Sequence, residues 1–356
     1  MDTIKALINI FIDYDYFNNN PYFTRGNNNA SLGVFYYASI DNLNIIYFAT
    51  RGFLQVSASI TKFLYDNNHT TLNIEHLSHF FKKVNLIIKF LLRGYSIPKF
   101  QSWNLTRLDL AANYICSSMA DKAAYIEYLK TLKYSRAEKT NYDTSIHAHN
   151  KSFCYNFYDK NEEARKHNIS INDNILRIEF QLKNPYLYRN LKNIKTVGSI
   201  LSDQNLLNNL FKSKLDTIGL TIRPTTTNST INSITTLTKE HKITTLLSKN
   251  IMTFLNCNLE RSISSATLYR YKNILKEFGL NINSLPSKIY KYIDFNNFQL
   301  FTTEYTNSLS LALTLKYLRL LLLLLEEFII TTNYNITLPN YYICKPNISI
   351  DFLDDS

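Results

Sequence analysis

Apolar and polar positions alternate with period two in several short runs of the chain, and elsewhere apolar residues recur every three to four positions. In LTRLDLAANYI (105–115), Arg107 and Asp109 alternate with Thr106, Leu108 and Leu110, and in ILRIEFQLKN (175–184) Leu176, Ile178, Phe180 and Leu182 fall opposite Arg177, Glu179 and Gln181. Each reads as a strand with one face on a core and the other carrying polar groups. GVFYYASI and LNIIYFAT are further strands, and GFLQVSASITKFLYDNN is a strand leading into a short helix. Residues 145–159 read either as two strands turning near Asn150 and Lys151 or as one bulged strand. IEHLSHFFKKVNLIIKFLL and SSMADKAAYIEYLKTLKY have the helical repeat instead.

Downstream the texture changes. TIRPTTTNSTINSITT (221–236), rich in Thr and Asn with one Pro, reads as a loop or linker. TLTKEHKITTLLSKNIMTFLN and SSATLYRYKNILKEFGL then read as helices. The second has an N-cap at Ser264 or Ser265, an apolar seam of Leu268, Tyr271, Leu275 and Phe278, and Gly279 as its stop. The pattern therefore predicts an α+β fold: an antiparallel or mixed sheet with packed helices over 1–190, a connecting region over 191–236, and a mainly helical region over 237–356.

Composition narrows the class. Of 356 residues, 45% are hydrophobic and 14% aromatic, which excludes a disordered chain. The 39 Lys and Arg against 28 Asp and Glu, a formal charge of +11, favour a polyanionic partner such as DNA or RNA, and an anionic membrane surface would also suit them. The leucine-rich stretch LALTLKYLRLLLLLLEEFII (311–330) is interrupted by Lys316, Arg319, Glu326 and Glu327, so it reads as a buried amphipathic helix, with no stable membrane association expected. Four cysteines without close spacing give no zinc motif or disulfide framework and fit a reducing cytoplasm. The start MDTIKALINIFIDYDYF lacks the basic region of a signal peptide.

Three sets of residues carry candidate chemistry. Asp109 and Glu179 each follow an arginine by two positions in strands of one type, and two acids brought together on neighbouring strands suit a hard cation such as Mg²⁺ or Mn²⁺. Solvated ion pairs on a sheet surface give the same pattern. His147 and His149 share a strand face and offer two nitrogens to one metal. Tyr158, followed by Asp159 and Lys160, is a nucleophile candidate with a cation beside it, in competition with Tyr155, Tyr186 and Tyr188.

In order along the chain, LQVSASITKFLYDNNHTTL, LTRLDLA, CYNFYDKNEE, LRIEFQLK and SSATLYRYKNILKEFGLNI resemble the successive motifs of the rolling-circle replication initiators of filamentous bacteriophages, the gene II/gene X protein family, and of related plasmid replication proteins. The resemblance spans roughly residues 50–285. It implies a site-specific endonuclease that nicks one strand of a double-stranded replicative form at an origin, keeps the 5′ phosphate on a tyrosine and later rejoins the strand. It implies Tyr158 as nucleophile, Lys160 as its lysine, Asp109 and Glu179 as the acids of the R-x-D and R-x-E strands, and Glu163 as the acid after the lysine. A bacterial cytoplasm, with host helicase and polymerase as partners, follows from the same likeness. His147 and His149 resemble the two-histidine metal motif of the wider rolling-circle endonucleases. The helix from Ser264 implies a DNA contact through Arg270, Lys272 and Lys276. The alternative is a non-catalytic DNA-binding protein that regulates replication or transcription, which needs the basic surface but not Asp109, Glu179, Tyr158 and Lys160 together.

Overall fold

The computed structural model describes residues 2–302 apart from 28–32, 69, 192–194, 223, 258–262, 282–284 and 286–291, and beyond these only 318 and 322. Residues 1–305 form one compact unit and residues 306–356 a second. The leucine-rich stretch lies outside the described residues apart from Leu318 and Leu322, both helical. Among the described residues no helix is long and apolar enough to cross a membrane.

The strands are β1 (Thr3–Asn9), β2 (Thr24–Asn27), β3 (Val34–Ile40), β4 (Leu43–Phe48), β5 (Phe53–Ser59), β6 (Leu72–Asn73), β7 (Asn104–Cys116), β8 (Glu138–Asn141), β9 (Ser145–His149), β10 (Phe153–Asp159), β11 (Asn174–Lys183) and β12 (Phe301–Thr302). Ten of them make one sheet in the order β2-β3-β4-β5-β1-β7-β11-β10-β9-β8, with β6 and β12 as a separate parallel pair. Each neighbouring pair in the large sheet is antiparallel. The helices are α1 (Tyr14–Asn18), α2 (Ile60–Tyr65), α3 (Leu77–Leu91), α4 (Met119–Thr131), α5 (Lys160–Lys166), α6 (Asn184–Asn190), α7 (Val197–Leu201), α8 (Gln204–Thr217), α9 (Thr227–Lys239), α10 (Thr245–Cys257) and α11 (Ser265–Glu277). The architecture is α+β, with a mainly helical region over α9–α11.

One face of the sheet is the core. Ile4 pairs with Ala58 and Leu108, and Leu108 with Leu182. Phe180 pairs with Leu110 and Tyr155. All of these are buried. Phe211 of α8 meets Phe180 at 4.8 Å between ring centroids, so α8 helps close this face. Burying such side chains stabilises the fold by roughly 1.5–3 kcal/mol each. Because strand side chains alternate, this leaves the other face to the polar residues of β7, β11, β10 and β9.

Residues 145–159 are two strands, β9 and β10, and Asn150 closes their turn by accepting from the Ser152 and Phe153 amides. The stretch 221–236 departs from the expected loop, since α9 begins at Thr227. The Thr226 hydroxyl accepts from the Ser229 amide and caps the helix. Thr230, Ser233, Thr235, Thr236 and Thr238 each return a hydroxyl to the carbonyl four residues back, a bond that lets hydroxyl side chains remain in a helix. Ile231, Ile234 and Leu237 then pack on the apolar cluster around Ile251, Phe254 and Leu275. The helical run after 236 is also divided: α9 ends at Lys239, His241 takes a left-handed conformation (φ 57°), and α10 starts at Thr245. For α11 the cap is Ser264, and Gly279 adopts φ 68° just past the end, a conformation that glycine takes without strain.

Candidate active site

Register places the expected strand residues on one face. Across β9, β10, β11 and β7, three rows run Ser145–Tyr158–Arg177–Asn113, His147–Asn156–Glu179–Ala111 and His149–Cys154–Gln181–Asp109. Tyr158 is thus directly opposite Arg177, and Glu179 is the diagonal neighbour of Asp109, a relation that puts the two residues roughly 7–8 Å apart. Asp109, Arg177 and Glu179 are all buried although they lie on the polar face. Tyr155, by alternation, belongs to the core face and is 1% exposed.

Two arginines tie the acids down. Arg107 grips Asp109 through Nε (2.9 Å) and Nη2 (2.6 Å). Arg177 donates from Nη2 to Asp2 (2.7 Å) and from Nη1 to the Asn68 carbonyl (3.0 Å) and the Asn113 side chain (3.1 Å). Its Nε is buried without a hydrogen-bond partner, 3.8 Å from Glu179 Oε2. Asn156 donates to Glu179 Oε1 at 3.1 Å. Asp2 also accepts from Ser59, and its amide donates to the Asp109 carbonyl.

This crowding sets the protonation of the site. Burial, then repulsion by Asp109 and Asp2, raises the Glu179 carboxyl to about 7, with Arg177 and Asn156 pulling the other way. Burial also raises Asp109 against the opposing pull of Arg107. Asp2 is lowered, because Arg177 and Ser59 outweigh the cost of its burial. The Tyr158 phenol is pushed well above the ordinary range by burial, opposed by the Arg177 charge and reinforced by Glu179, Asp2 and Glu163.

Lys160, the first residue of α5, is buried with Nζ 5.9 Å from the Tyr158 ring centroid. It donates to Glu163 (2.5 Å) and Asn68 (2.7 Å). Burial lowers its pKa, and Glu163 partly offsets that. The turn from β10 into α5 is held from behind by Lys122 of α4, which is buried and reaches Asp159 (2.6 Å) and Asn161 (2.7 Å). Asp159 in turn caps α5 by accepting from the Asn161 and Glu162 amides.

His147 and His149 share the polar face and stack with ring centroids 4.9 Å apart. His149 Nδ1 is buried without a hydrogen-bond partner. The pair stands two strands from β11, which is about 10 Å at the usual strand spacing, with Asn156 and Cys154 between. Among the described residues no three His, Cys, Asp or Glu side chains converge as a metal shell. Asp109 and Glu179 are two buried carboxylates on adjacent strands, the oxygen donors a hard cation takes, and each has an arginine beside it, Arg107 and Arg177.

Arg270, Lys272 and Lys276 lie on α11, outside this group. Asp2, Asn68, Asn113 and Lys122 complete the site without a sequence motif of their own. Only Asp2, placed just ahead of the alternating run TIKALIN, carries a local cue.

No protein-family model matches the sequence, and no curated protein matches it. Among solved structures, the chain is similar to a rolling circle replication initiator protein from Geobacillus stearothermophilus. The identity is 15% and the TM-score 0.35, over 61% of this chain and 83% of that one. At that level of likeness the functional reading rests on the chain's own site.

Proposed function

We propose that this protein nicks and rejoins one strand of DNA through a covalent 5′-phosphotyrosine on Tyr158, as an initiator of rolling-circle replication. The observation that supports this reading most is the placement of Tyr158 opposite the buried Arg177, diagonal to Glu179 and in contact range of Lys160, on a face that also holds Asp109.

In the forward step the Tyr158 Oη–P bond forms and the P–O3′ bond breaks. The phenolic proton passes to water, and the departing 3′ oxygen takes one up. Attack by a 3′-hydroxyl on the phosphotyrosine reverses this and releases Tyr158, so a strand is exchanged without hydrolysis. Arg177 and Lys160 supply positive charge beside a phenol that burial otherwise keeps protonated. Asp109 and Glu179 would hold Mg²⁺ or Mn²⁺, and His147 and His149 would join them only by closing the roughly 10 Å between β9 and β11. Such an ion would polarise the scissile phosphate.

The DNA would be the double-stranded replicative form at an origin, with host helicase and polymerase acting on the opened strand in a bacterial cytoplasm. The direct test is incubation with supercoiled DNA of the protein's own replicon and Mg²⁺ or Mn²⁺, followed by denaturing electrophoresis. A nick with protein attached to its 5′ end is expected. Tight DNA binding with no linked product under any divalent ion would favour the regulatory alternative.

Two further outcomes follow from the site residues. Alanine at both His147 and His149 is expected to weaken Mn²⁺ binding by roughly tenfold or more, read by paramagnetic resonance of free Mn²⁺. An unchanged affinity removes the pair from the ligand set. On α11, Arg270→Gln is expected to lower the slope of log affinity against log salt for duplex DNA by about 0.9, the value for one phosphate contact. An unaltered slope would show that Arg270 faces solvent in the complex.

A further inference from the structure

One stripe of α11 is polar, continuous and unrelated to its packing seam. Leu268, Tyr271, Leu275 and Phe278 pack with the helical cluster around Ile234 and Ile251. Tyr269, Lys272, Asn273 and Lys276, at the i, i+3, i+4 and i+7 positions that share a helix face, instead line a cleft of about 400 Å³. The same cleft is lined by Lys133 and Ser135, just after α4, and by Asp216–Gly219 at the end of α8. Arg270 is not among the lining residues.

The lining has two parts of different chemistry. Lys133, Lys272 and Lys276 set three cations around one cleft, while Tyr269, at 68% exposure, stands with most of its ring uncovered. Among the lining residues, Asp216 lies 3.6 Å from Lys276 Nζ and accepts from Thr221 at 2.8 Å. A cleft of this size takes roughly one or two nucleotides and not the breadth of a duplex. An aromatic ring standing clear among backbone-reaching cations is the arrangement that binds unpaired bases by stacking, and paired bases keep their faces occupied.

We infer that the cleft between α11, the end of α8 and the segment after α4 is a binding site for single-stranded DNA. Lys133, Lys272 and Lys276 take successive phosphates and Tyr269 stacks on a base. This rests on the reading that the protein acts on DNA, and it names the form of DNA that the Lys272 and Lys276 face of α11 meets. Asp216, 3.6 Å from Lys276 Nζ, repels an incoming phosphate.

The test uses the full chain carrying Tyr158→Phe, so that no covalent product forms, and fluorescence anisotropy with a labelled dT15 strand and a 15-base-pair duplex. Replacing Lys133, Lys272 and Lys276 together by Gln is expected to weaken dT15 binding at least tenfold and to lower its salt slope by about 2, at roughly 0.7 per lost contact. Tyr269→Ala is expected to weaken dT15 at least fivefold and the duplex less than twofold, with Tyr269→Phe restoring dT15 binding. Asp216→Asn is expected to tighten dT15 binding by roughly threefold, the opposite sign, which no loss of folding imitates. An unchanged dT15 affinity and slope in the triple variant overturns the proposal. Equal losses for both DNA forms in Tyr269→Ala overturn the single-strand assignment. The readout is independent of cleavage, so an absence of nicking by the unmodified protein would count against the catalytic reading alone.

Discussion

Tyr158→Phe is expected to abolish the protein–DNA adduct, a loss of roughly a thousandfold or more, while leaving the fold and DNA affinity close to those of the parent. The substitution removes only the attacking oxygen. The ring continues to lie beside the Lys160 ammonium, and no backbone pairing of β10 with β9 or β11 depends on the hydroxyl. Denaturing electrophoresis of labelled DNA after reaction reads the adduct, and mapping of the linked peptide reads its position. A linkage at Tyr186 or Tyr188 would keep the enzyme and reject this residue, and an undiminished adduct in Tyr158→Phe would rule out Tyr158 as sole nucleophile. Tyr155→Phe supplies the control, since Tyr155 packs against Phe153 and Phe180 in the core and its loss of a hydroxyl should leave the adduct intact.

The strands that carry the site were legible because their alternation is strict. In β7 and β11 the apolar set must meet the core, so Asp109, Arg177 and Glu179 are forced to one opposite face, and a slip of one residue would exchange the two sets. Alternation also separates Tyr155 from Tyr158, although the sequence alone does not say which strands are neighbours. That depends on pairing between β7 and β11, which are separated by β8, β9 and β10 in the chain. The residues that complete the site come from still farther away: Asp2 and Asn68 reach Arg177 from 175 and 109 positions off, and no local pattern records such contacts. The loop reading of 227–236 failed for a different reason. Thr and Asn are common in loops, but in α9 the Thr hydroxyls bond back to the helix while the widely spaced isoleucines find a core contributed by α10 and α11.

Glu179→Gln is expected to act in opposite directions on stability and on cleavage. In the folded, metal-free protein the Glu179 carboxyl is raised to about 7 by burial and by Asp109 and Asp2, against an ordinary value of 4.5. A carboxyl that holds its proton more tightly when folded costs stability once the unfolded chain has ionised. Stability of the parent should therefore fall as pH rises from about 4.5 to about 7 and stay lower above that. Gln never ionises and keeps an oxygen for Asn156, so in chelator at pH 8 the variant should be more stable by on the order of 1–3 kcal/mol, with the Arg177 ion pair lost on the other side of the balance. The two proteins should converge at about pH 4, where both carry a neutral side chain. Urea unfolding at the two pH values measures this, and a variant that is less stable at pH 8, or a gap that persists at pH 4, contradicts it. Nicking should fall by roughly a hundredfold or more in the same variant, because the donor meant for the cation has lost its charge. Added Mn²⁺ should then raise the melting temperature of the parent and leave that of Glu179→Gln unmoved. A stabilised protein that still nicked at the parent's rate would place Glu179 outside the catalytic site, as one more acid in the Arg177 and Asp2 network.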